Sequence, residues 1–556
     1  MHSMLNDNQM NSGFSLKIKD KKVKTLFSAE NYDSFLVEND GVEMAVEGVI
    51  LNKKKLLEEY YFNDFSLLFL KFYTEKKEKC INELEGEFRG YIWDKVRKRI
   101  FVFTNPTATQ RVFYAKTNNV IFIDSNLVRL STSLKTTGIN PTPDIQNIYQ
   151  LLSFGSMLEN ATPIRDVFKV LDGHYIEIDL ENHSIKEKGY FSLENISYWA
   201  LSKEKAIQEI HELFAENIKA EYRKDDEYRS KHFALISGGL DSRTAMLYAV
   251  KMNKKPDTAF CFSQSSYLDE KISRKIAKDF QIKYEFQPLD GGSYLKEIDK
   301  LTEISEGCGL YTGGIHVNYA FERLAETDFK IVHGGAIGDG ILGGFNLVPY
   351  RRKPEGEKLI INRSFLSKVG TSFDDAKNLY ESEELFYLRN VACNKTVLGA
   401  QVIQQYAYQT SPFMTKEMLK MAISIPEKWK FKQRFYLDWI AKHCPEATKY
   451  RWERTLMKPD AKWKTAFGDQ VVKRGFKIVH DKILKTPQKS SMYPYQYYFD
   501  QDNEIQKYYQ KYFEENLHRV QAYPELSADL LVLFDSPDFY SKSQAVNILS
   551  VFKLYF

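Results

Sequence analysis

At 556 residues, with 43% apolar and 27% charged side chains, the chain is too long for one hydrophobic core and too polar for a membrane-embedded fold. A net charge of +4, with basic runs no longer than Lys53-Lys54-Lys55 and the stretch from Lys95 to Arg99, makes no demand for nucleic acid or a membrane surface. The five cysteines (Cys80, Cys261, Cys308, Cys393, Cys444) are odd in number and far apart. They give neither a disulfide framework nor a Cys-x-x-Cys metal pair, which points to a reducing cytoplasm, and no signal peptide or bilayer-length apolar run is found.

Taken in order, residues 1 to about 15 are polar and read as a loose terminus. From Phe14 to Leu134 short alternating segments predict strands, among them Val42 to Ile50, Gly90 to Asp94, Ile100 to Phe103 and Val120 to Ile123. An amphipathic helix from Asp64 to Lys79 lies between them, and the whole predicts a layered α+β domain. Residues from Ser192 to Lys205 have no clear period and read as a linker, dividing the chain into domains at 1–195 and 205–556. A helix follows from Ala206 to Tyr222, with Ile207, Ile210, Leu213, Phe214 and Ile218 spaced to form one buried face.

The apolar run from His232 to Ile236 then feeds Ser237-Gly238-Gly239-Leu240-Asp241-Ser242, and a helical pattern takes over from Thr244 to Lys251. A strand, a tight glycine turn and a helix N-terminus suit a polyphosphate. Adjacent glycines let the backbone approach an anion, the first-turn amides and helix dipole favour negative charge, and Ser237 and Ser242 add hydroxyls. Asp241 fits such a site when Mg²⁺ lies between its carboxylate and the phosphates. The plain alternative is a strand-turn-helix with an ordinary Ser or Asp cap. The loop lacks the Gly-Lys-Ser/Thr ending of a Walker loop, so γ-phosphoryl transfer is not the first expectation.

Strand and helix signals alternate beyond it: a strand at Thr258 to Phe262, a helix at Asp269 to Phe280, a strand at Tyr284 to Phe286, helices at Tyr294 to Glu306 and His316 to Ala325, and a strand at Lys330 to Val332. Such alternation predicts a doubly wound parallel sheet with ligands at the carboxyl ends of its strands. After Val332, the stretch His333 to Gly344 surrounds Asp339 with six glycines. That position suits a second carboxylate sharing Mg²⁺ with Asp241, the alternative being a flexible surface loop. From residue 360 helices dominate, and the aromatic tail from Tyr493 to Phe556 reads as core-packing helices.

The Ser237 to Ser242 string resembles the pyrophosphate-binding loop of the ATP pyrophosphatase superfamily, whose members split ATP into AMP and pyrophosphate to activate a carboxylate or a similar group. Independently, Gly48 to Asn52, Leu84 to Asp94, Thr104-Asn105-Pro106, Val112 to Tyr114 and Ile123 to Leu127 look like the class II glutamine amidotransferase domain. Thr162 to His174 and Tyr190-Phe191 are similar to the segment that closes it. Together these stretches resemble the asparagine synthetases over most of the chain, in the right order. The resemblance implies an α+β N-terminal layered domain of Ntn type and an α/β adenine nucleotide α-hydrolase-like domain with helical additions, using ATP and Mg²⁺.

By the same resemblance, Ser237, Gly238, Gly239, Leu240, Asp241, Ser242, Gly334 and Gly335 bind the nucleotide, Phe262 lies where relatives hold adenine through backbone groups, and Asp241 and Asp339 hold the metal. Gly340 replaces a glutamate of the family element, and Ala336 stands where the synthetases carry a glutamate and β-lactam synthetase a tyrosine. In Ser411-Pro412-Phe413-Met414-Thr415, Met414-Thr415 replaces Leu-Asp of the family segment. Past Pro445 the relatives place a lysine that stabilises charge as the amine attacks. Arg454 and Lys458 are the nearest cations, and the pattern does not choose between them or exclude a structural ion pair with Glu453 or Asp460.

One departure bears on nitrogen supply. Glutamine hydrolysis in the family uses an N-terminal cysteine, whereas this chain reads Met1-His2-Ser3-Met4 and has no cysteine before Cys80. The first domain is expected to keep its fold without hydrolysing glutamine. The expected reaction joins a small-molecule or peptide carboxylate, aspartate by family default, to ammonia or an amine through an acyl-AMP. The alternatives are amide closure within a larger substrate, as in β-lactam synthetase and lasso-peptide cyclases, and a non-catalytic nucleotide-binding protein. A homodimer or a biosynthetic partner protein fits either ligase reading.

Overall fold

A computed structural model describes residues 12–28, 32–324, 328–460, 468–472 and 491–556. The N-terminal half contains β1 (Gly13–Lys19), β2 (Lys22–Ser28), β3 (Phe35–Glu38), β4 (Val42–Ile50), helix α1 (Phe65–Lys76), β5 (Gly86–Asp94) and β6 (Arg99–Thr104). It continues through β7 (Phe113–Lys116), β8 (Val120–Asp124), β9 (Val167–Lys169), β10 (His174–Asp179) and β11 (Ser184–Gly189). These strands form two antiparallel sheets, ordered β2-β1-β8-β7-β9 and β11-β10-β6-β5-β4-β3. Their facing sides share a core of Phe14, Leu16, Ile18, Tyr91, Val102 and Ile176. The edge strands β2 and β11 carry exposed Lys22, Lys24, Lys186 and Lys188, which discourage pairing with another chain.

The second half opens with α2 (Lys203–Tyr228), capped by Ser202 Oγ, which accepts from Lys205 N at 3.3 Å. Its Ile207, Ile210, Phe214, Ile218 and Tyr222 are buried, worth on the order of 10 kcal/mol before chain entropy is subtracted. There follow β12 (Phe233–Leu235), α3 (Asp241–Lys251), β13 (Thr258–Ser263), α4 (Leu268–Asp279), β14 (Lys283–Pro288), β15 (Ile331–His333) and β16 (Tyr408–Thr410). All five strands are parallel and run in the order β14-β13-β12-β15-β16. Helix α5 (Arg434–His443) and helix α6 (Phe539–Tyr555) complete the set used below. The chain steps outward on one side through β13 and β14, then on the other through β15 and β16. The crevice between the ends of β12 and β15 is therefore the topological switch point, where open parallel sheets bind ligands.

The α+β and α/β classes expected from the sequence are the ones observed, with local differences. The helix expected over Tyr294 to Glu306 is a short 3₁₀ turn (Ser293–Lys296) and a helix (Ile298–Ile304), interrupted at Glu297. The Ser202 cap starts α2 at Lys203, so the linker is shorter than its composition suggests. Gly13 and Phe14 belong to β1, paired with Ser28 and Phe27, rather than to a loose terminus; residues 1–11 lie outside the described residues. Strand β16 was not anticipated because three residues are too few to show alternation.

One polar contact fixes the sheet beneath the crevice. His333, the last residue of β15, is buried with Nε2 2.6 Å from Asp225 Oδ2 of α2, and its ring stacks on Tyr222 at 3.9 Å. Burial pulls the imidazole pKa down, but Asp225 and Glu221 outweigh it and raise it to about 9 from 6.5. A raised histidine pKa stabilises the fold fully below about pH 6.5, and that contribution, roughly 3 kcal/mol, is lost as pH rises through about 9. The thermal midpoint is expected to fall across that window, and His333→Gln should flatten the slope; identical slopes in the two proteins would remove the pair from the account.

Candidate functional site

The β12–α3 turn is drawn tight by its own hydroxyls. Ser237 Oγ lies 3.0 Å from Ser242 Oγ, Ser237 N donates to Ser242 Oγ at 3.2 Å, and Gly239 N donates to Ser237 Oγ at 3.1 Å. Leu240 is buried and its carbonyl accepts from Thr244 N at 2.7 Å, which starts α3 at Asp241, earlier than the apolar pattern indicates. The amide of Gly238, assigned to a phosphate from the sequence, donates instead to Asp269 Oδ1 at 2.8 Å. A phosphate would have to displace that carboxylate to reach it.

Asp269 was not among the sequence candidates. Burial raises its carboxyl to about 6, with Glu453 adding to the effect and the Gly238 amide opposing it. Glu453 presses on the other side of Gly238: its amide donates to Gly238 O at 3.1 Å and its carboxylate accepts from Tyr267 at 2.9 Å. Arg243 ties these parts together. Fully buried, it donates to the carbonyls of Gly238 (2.7 Å), Ala447 (3.0 Å), Arg451 (2.8 Å) and Tyr450 (3.4 Å), joining the loop to the Tyr450 to Arg454 segment.

The β15 loop meets the first one backbone against backbone. A Cβ at Gly335 would come within 2.4 Å of Asp241 C and 2.5 Å of Ser242 N, so only glycine permits this approach. Gly334 N donates to Thr410 O at 2.9 Å, which anchors the loop to β16. Between them and Asp339, the β-branched Ile337 is held at φ 63°, a strained conformation of the kind that clusters at working sites. The outcome is that Asp339 N donates to Asp241 Oδ2 at 2.7 Å, bringing the two metal candidates side by side.

Asp241 as a residue is half-buried, yet its Oδ1 is shut off from solvent and has no hydrogen-bond partner. Burial, and then the neighbouring Asp339 charge, push its carboxyl well above the ordinary range. An orphaned carboxylate oxygen beside a second carboxylate is a pair of ligands that a Mg²⁺ ion takes. Asp241 and Asp339 fit the ion. With Asp269 and Glu453 on the far side of the loop, a polyphosphate entering without a cation would meet four carboxylates.

Of the two candidate cations, Arg454 reaches this site and Lys458 is exposed. Arg454 donates to Gln433 Oε1 at 2.7 Å, and Gln433 Nε2 lies 3.4 Å from Asp339 O and 3.5 Å from Asp339 Oδ2. Gln433 is turned into place by consecutive left-handed residues, Lys432 (φ 56°) and Gln433 (φ 58°), ahead of α5. Lys358 also arrives here: its ammonium donates to Gly344 O, and Gly344 backs onto Asp339. Burial lowers the Lys358 pKa, Asp339 counters and Arg454 adds to the effect. No local pattern marks Lys358, 14 residues beyond Gly344, and Gln433 comes from the segment just ahead of α5. Phe262, one residue before the end of β13, pairs in register with Gln287 and lies 6.0 Å from the His316 ring.

In the N-terminal half, the Thr104-Asn105-Pro106 turn is bonded to its own neighbours. Asn105 Nδ2 lies within hydrogen-bond distance of Glu87 Oε2 (3.1 Å), Thr107 Oγ1 (3.1 Å) and Thr109 Oγ1 (2.8 Å), which share its two N–H groups, while Arg89 pairs with Glu47. Burial raises the Glu87 carboxyl to about 7.

The family model described as a glutamine amidotransferase domain matches residues 30–191, and the one described as asparagine synthase matches residues 209–410. The chain is 24% identical over 276 residues to asparagine synthetase (glutamine-hydrolyzing) 2 of Bacillus subtilis (strain 168), covering 47% of this chain and 36% of that protein. It is 25% identical over 335 residues to a putative asparagine synthetase (glutamine-hydrolyzing) 2 of Methanocaldococcus jannaschii, covering 58% of this chain. The chain thus spans 36% and 61% of the lengths of these curated relatives. Among solved structures, glutamine phosphoribosylpyrophosphate amidotransferase from B. subtilis is similar at 10% identity over 60% of this chain and 72% of that one, with a TM-score of 0.23. With the two models matched in chain order, one onto the antiparallel half and the other onto the parallel sheet, the chain belongs to the asparagine synthetase-like family.

Proposed function

We propose that this protein is an ATP-dependent, amide-forming ligase that activates a carboxylate as acyl-AMP, releases pyrophosphate and lets ammonia or an amine displace AMP. The observation that carries the reading is the convergence of Asp241 and Asp339 at the sheet's switch point, beside a hydroxyl-lined glycine turn with no Walker lysine. Asp241 and Asp339 would hold Mg²⁺, which when bound neutralises phosphate charge and so favours departure of pyrophosphate. The chain's own part is to present the α3 amides and the Ser237 and Ser242 hydroxyls to the phosphates, and to hold Arg454 and Lys358 as positive charge near Asp339. Aspartate is the default acid. A peptide carboxylate closing on an amine of the same chain is the second substrate class. Five free, buried cysteines accord with a reducing, cytoplasmic setting, and no helix among the described residues is long and apolar enough to cross a membrane.

The deciding experiment is exchange of labelled pyrophosphate into ATP, screened against aspartate, other small acids and peptides, with nucleotide products separated by anion exchange. AMP and pyrophosphate are expected, and ADP as sole product would reject the reading. Glutamine is not the expected nitrogen donor, since Asn105, Thr109 and Glu87 of the first domain bond one another. Glutamate release from glutamine should therefore stay at background; a robust rate without ATP would overturn this part.

A further inference from the structure

Away from the crevice, a cavity of about 480 Å³ lies where the antiparallel half, the parallel-sheet half and α6 meet. Its size is that of a small-molecule site, and Leu310 and Leu398 supply apolar wall. Several of its polar groups are left over. Arg111, 5% exposed, donates to Ser305 O at 3.2 Å and lies 3.6 Å from Glu306 Oε2, but its Nε has no partner. Ser156, fully buried, has an unpartnered Oγ. Lys395 Nζ donates to Phe154 O at 2.8 Å and has no carboxylate within ion-pair distance among the described residues. Behind Asn394 on the wall, buried Lys169 donates to the Asn394 amide oxygen.

The carboxylates nearby are engaged. Glu306 also accepts from Leu127 N at 3.0 Å, Asp538 caps α6 through Ser541 N at 2.8 Å, and Asp172 lies 2.8 Å from Arg389. Two cations, Arg111 and Lys395, thus line the cavity, and Lys169 stands behind Asn394. The mostly apolar wall favours a monoanion over a phosphate dianion, whose desolvation costs more.

We propose that this junction cavity binds an organic carboxylate with an apolar body, the carboxylate taken by the Arg111 guanidinium and Lys395 Nζ and the body by Leu310 and Leu398. The site lies outside the ligase reading and does not depend on it. Calorimetric titration of the full chain with hydrocinnamate and with its uncharged amide tests it. The acid should bind at one site in the millimolar range or tighter, and the amide about tenfold or more weaker, as loss of a charge-assisted contact predicts. Lys395→Gln should abolish that preference and Lys395→Arg keep it. Pyrophosphate exchange should be unchanged in both, so a failed site and a failed ligase are separable. Equal affinity for acid and amide in the wild-type protein would overturn the proposal without any variant. So would an absence of binding at millimolar acid, or unchanged acid affinity in folded Lys395→Gln.

Discussion

Asp339→Asn is expected to lower pyrophosphate exchange by about a hundredfold or more while leaving the fold intact. Its carboxylate makes a long contact to Gln433, and the anchoring bond to Asp241 is made by the Asp339 backbone, which the substitution keeps. Removing one of two adjacent negative charges should, without divalent metal, hold or raise the thermal midpoint, because Asp241 then ionises against less repulsion. Mg²⁺ should raise the midpoint of the wild-type protein and do so less in the variant, a readout independent of turnover. Asp241→Asn should lose exchange to a similar degree, and the double variant should be scarcely worse than either, as expected for groups acting as a unit. Cys261→Ala, a change in a buried strand residue, should retain most activity. Full exchange by Asp339→Asn at unchanged Mg²⁺ dependence would remove the shared-metal assignment.

Arg243→Met should produce the largest loss of stability. The guanidinium is fully buried, and burial lowers its pKa to about 10. It serves four carbonyls from two segments more than two hundred residues apart. Methionine fills similar space but leaves those carbonyls without their donor, and the penalty for stranded buried polar groups puts the loss at roughly 3–5 kcal/mol. Arg243→Lys should recover only part of it, since one ammonium cannot span the same four acceptors. The check is the shift in thermal midpoint, with proteolysis of the Tyr450 to Arg454 segment as a second probe. Wild-type stability in Arg243→Met would mean that the loop and this segment are held by other contacts.

These cases show which parts of the protein the sequence displays. The loop from Ser237 to Ser242 and the glycines around Asp339 are legible because a turn at a strand end is a local requirement, written in consecutive residues. Strand order is partly legible, since alternation implies parallel crossovers, but β16 is too short to announce itself. The supporting groups are not legible. Arg243 reads as a surface residue of a helix start until its carbonyl partners are seen, and nothing in the residues around Lys358 marks its approach to the Asp339 loop. The Gly238 amide also shows the limit of motif reasoning: the residue type matches a phosphate loop, and Asp269, in a different helix, accepts its hydrogen bond.

Helix α6 has twelve of its 17 residues buried, among them Gln544, which donates to Leu152 O in the antiparallel half, and Asn547, which accepts from Tyr311 N in the other. Tyr555 also donates to Glu306 O at 2.9 Å. During synthesis this helix emerges after every other described element. Both halves can form their sheets on the ribosome, yet the apolar faces that α6 covers stay open until translation has passed Tyr555. Nascent chains are therefore exposed to sticking at this one surface for the whole time the second half is being made. Slowing translation upstream of residue 539 should lengthen that exposure, and supplying the α6 segment in trans as a peptide should shorten it.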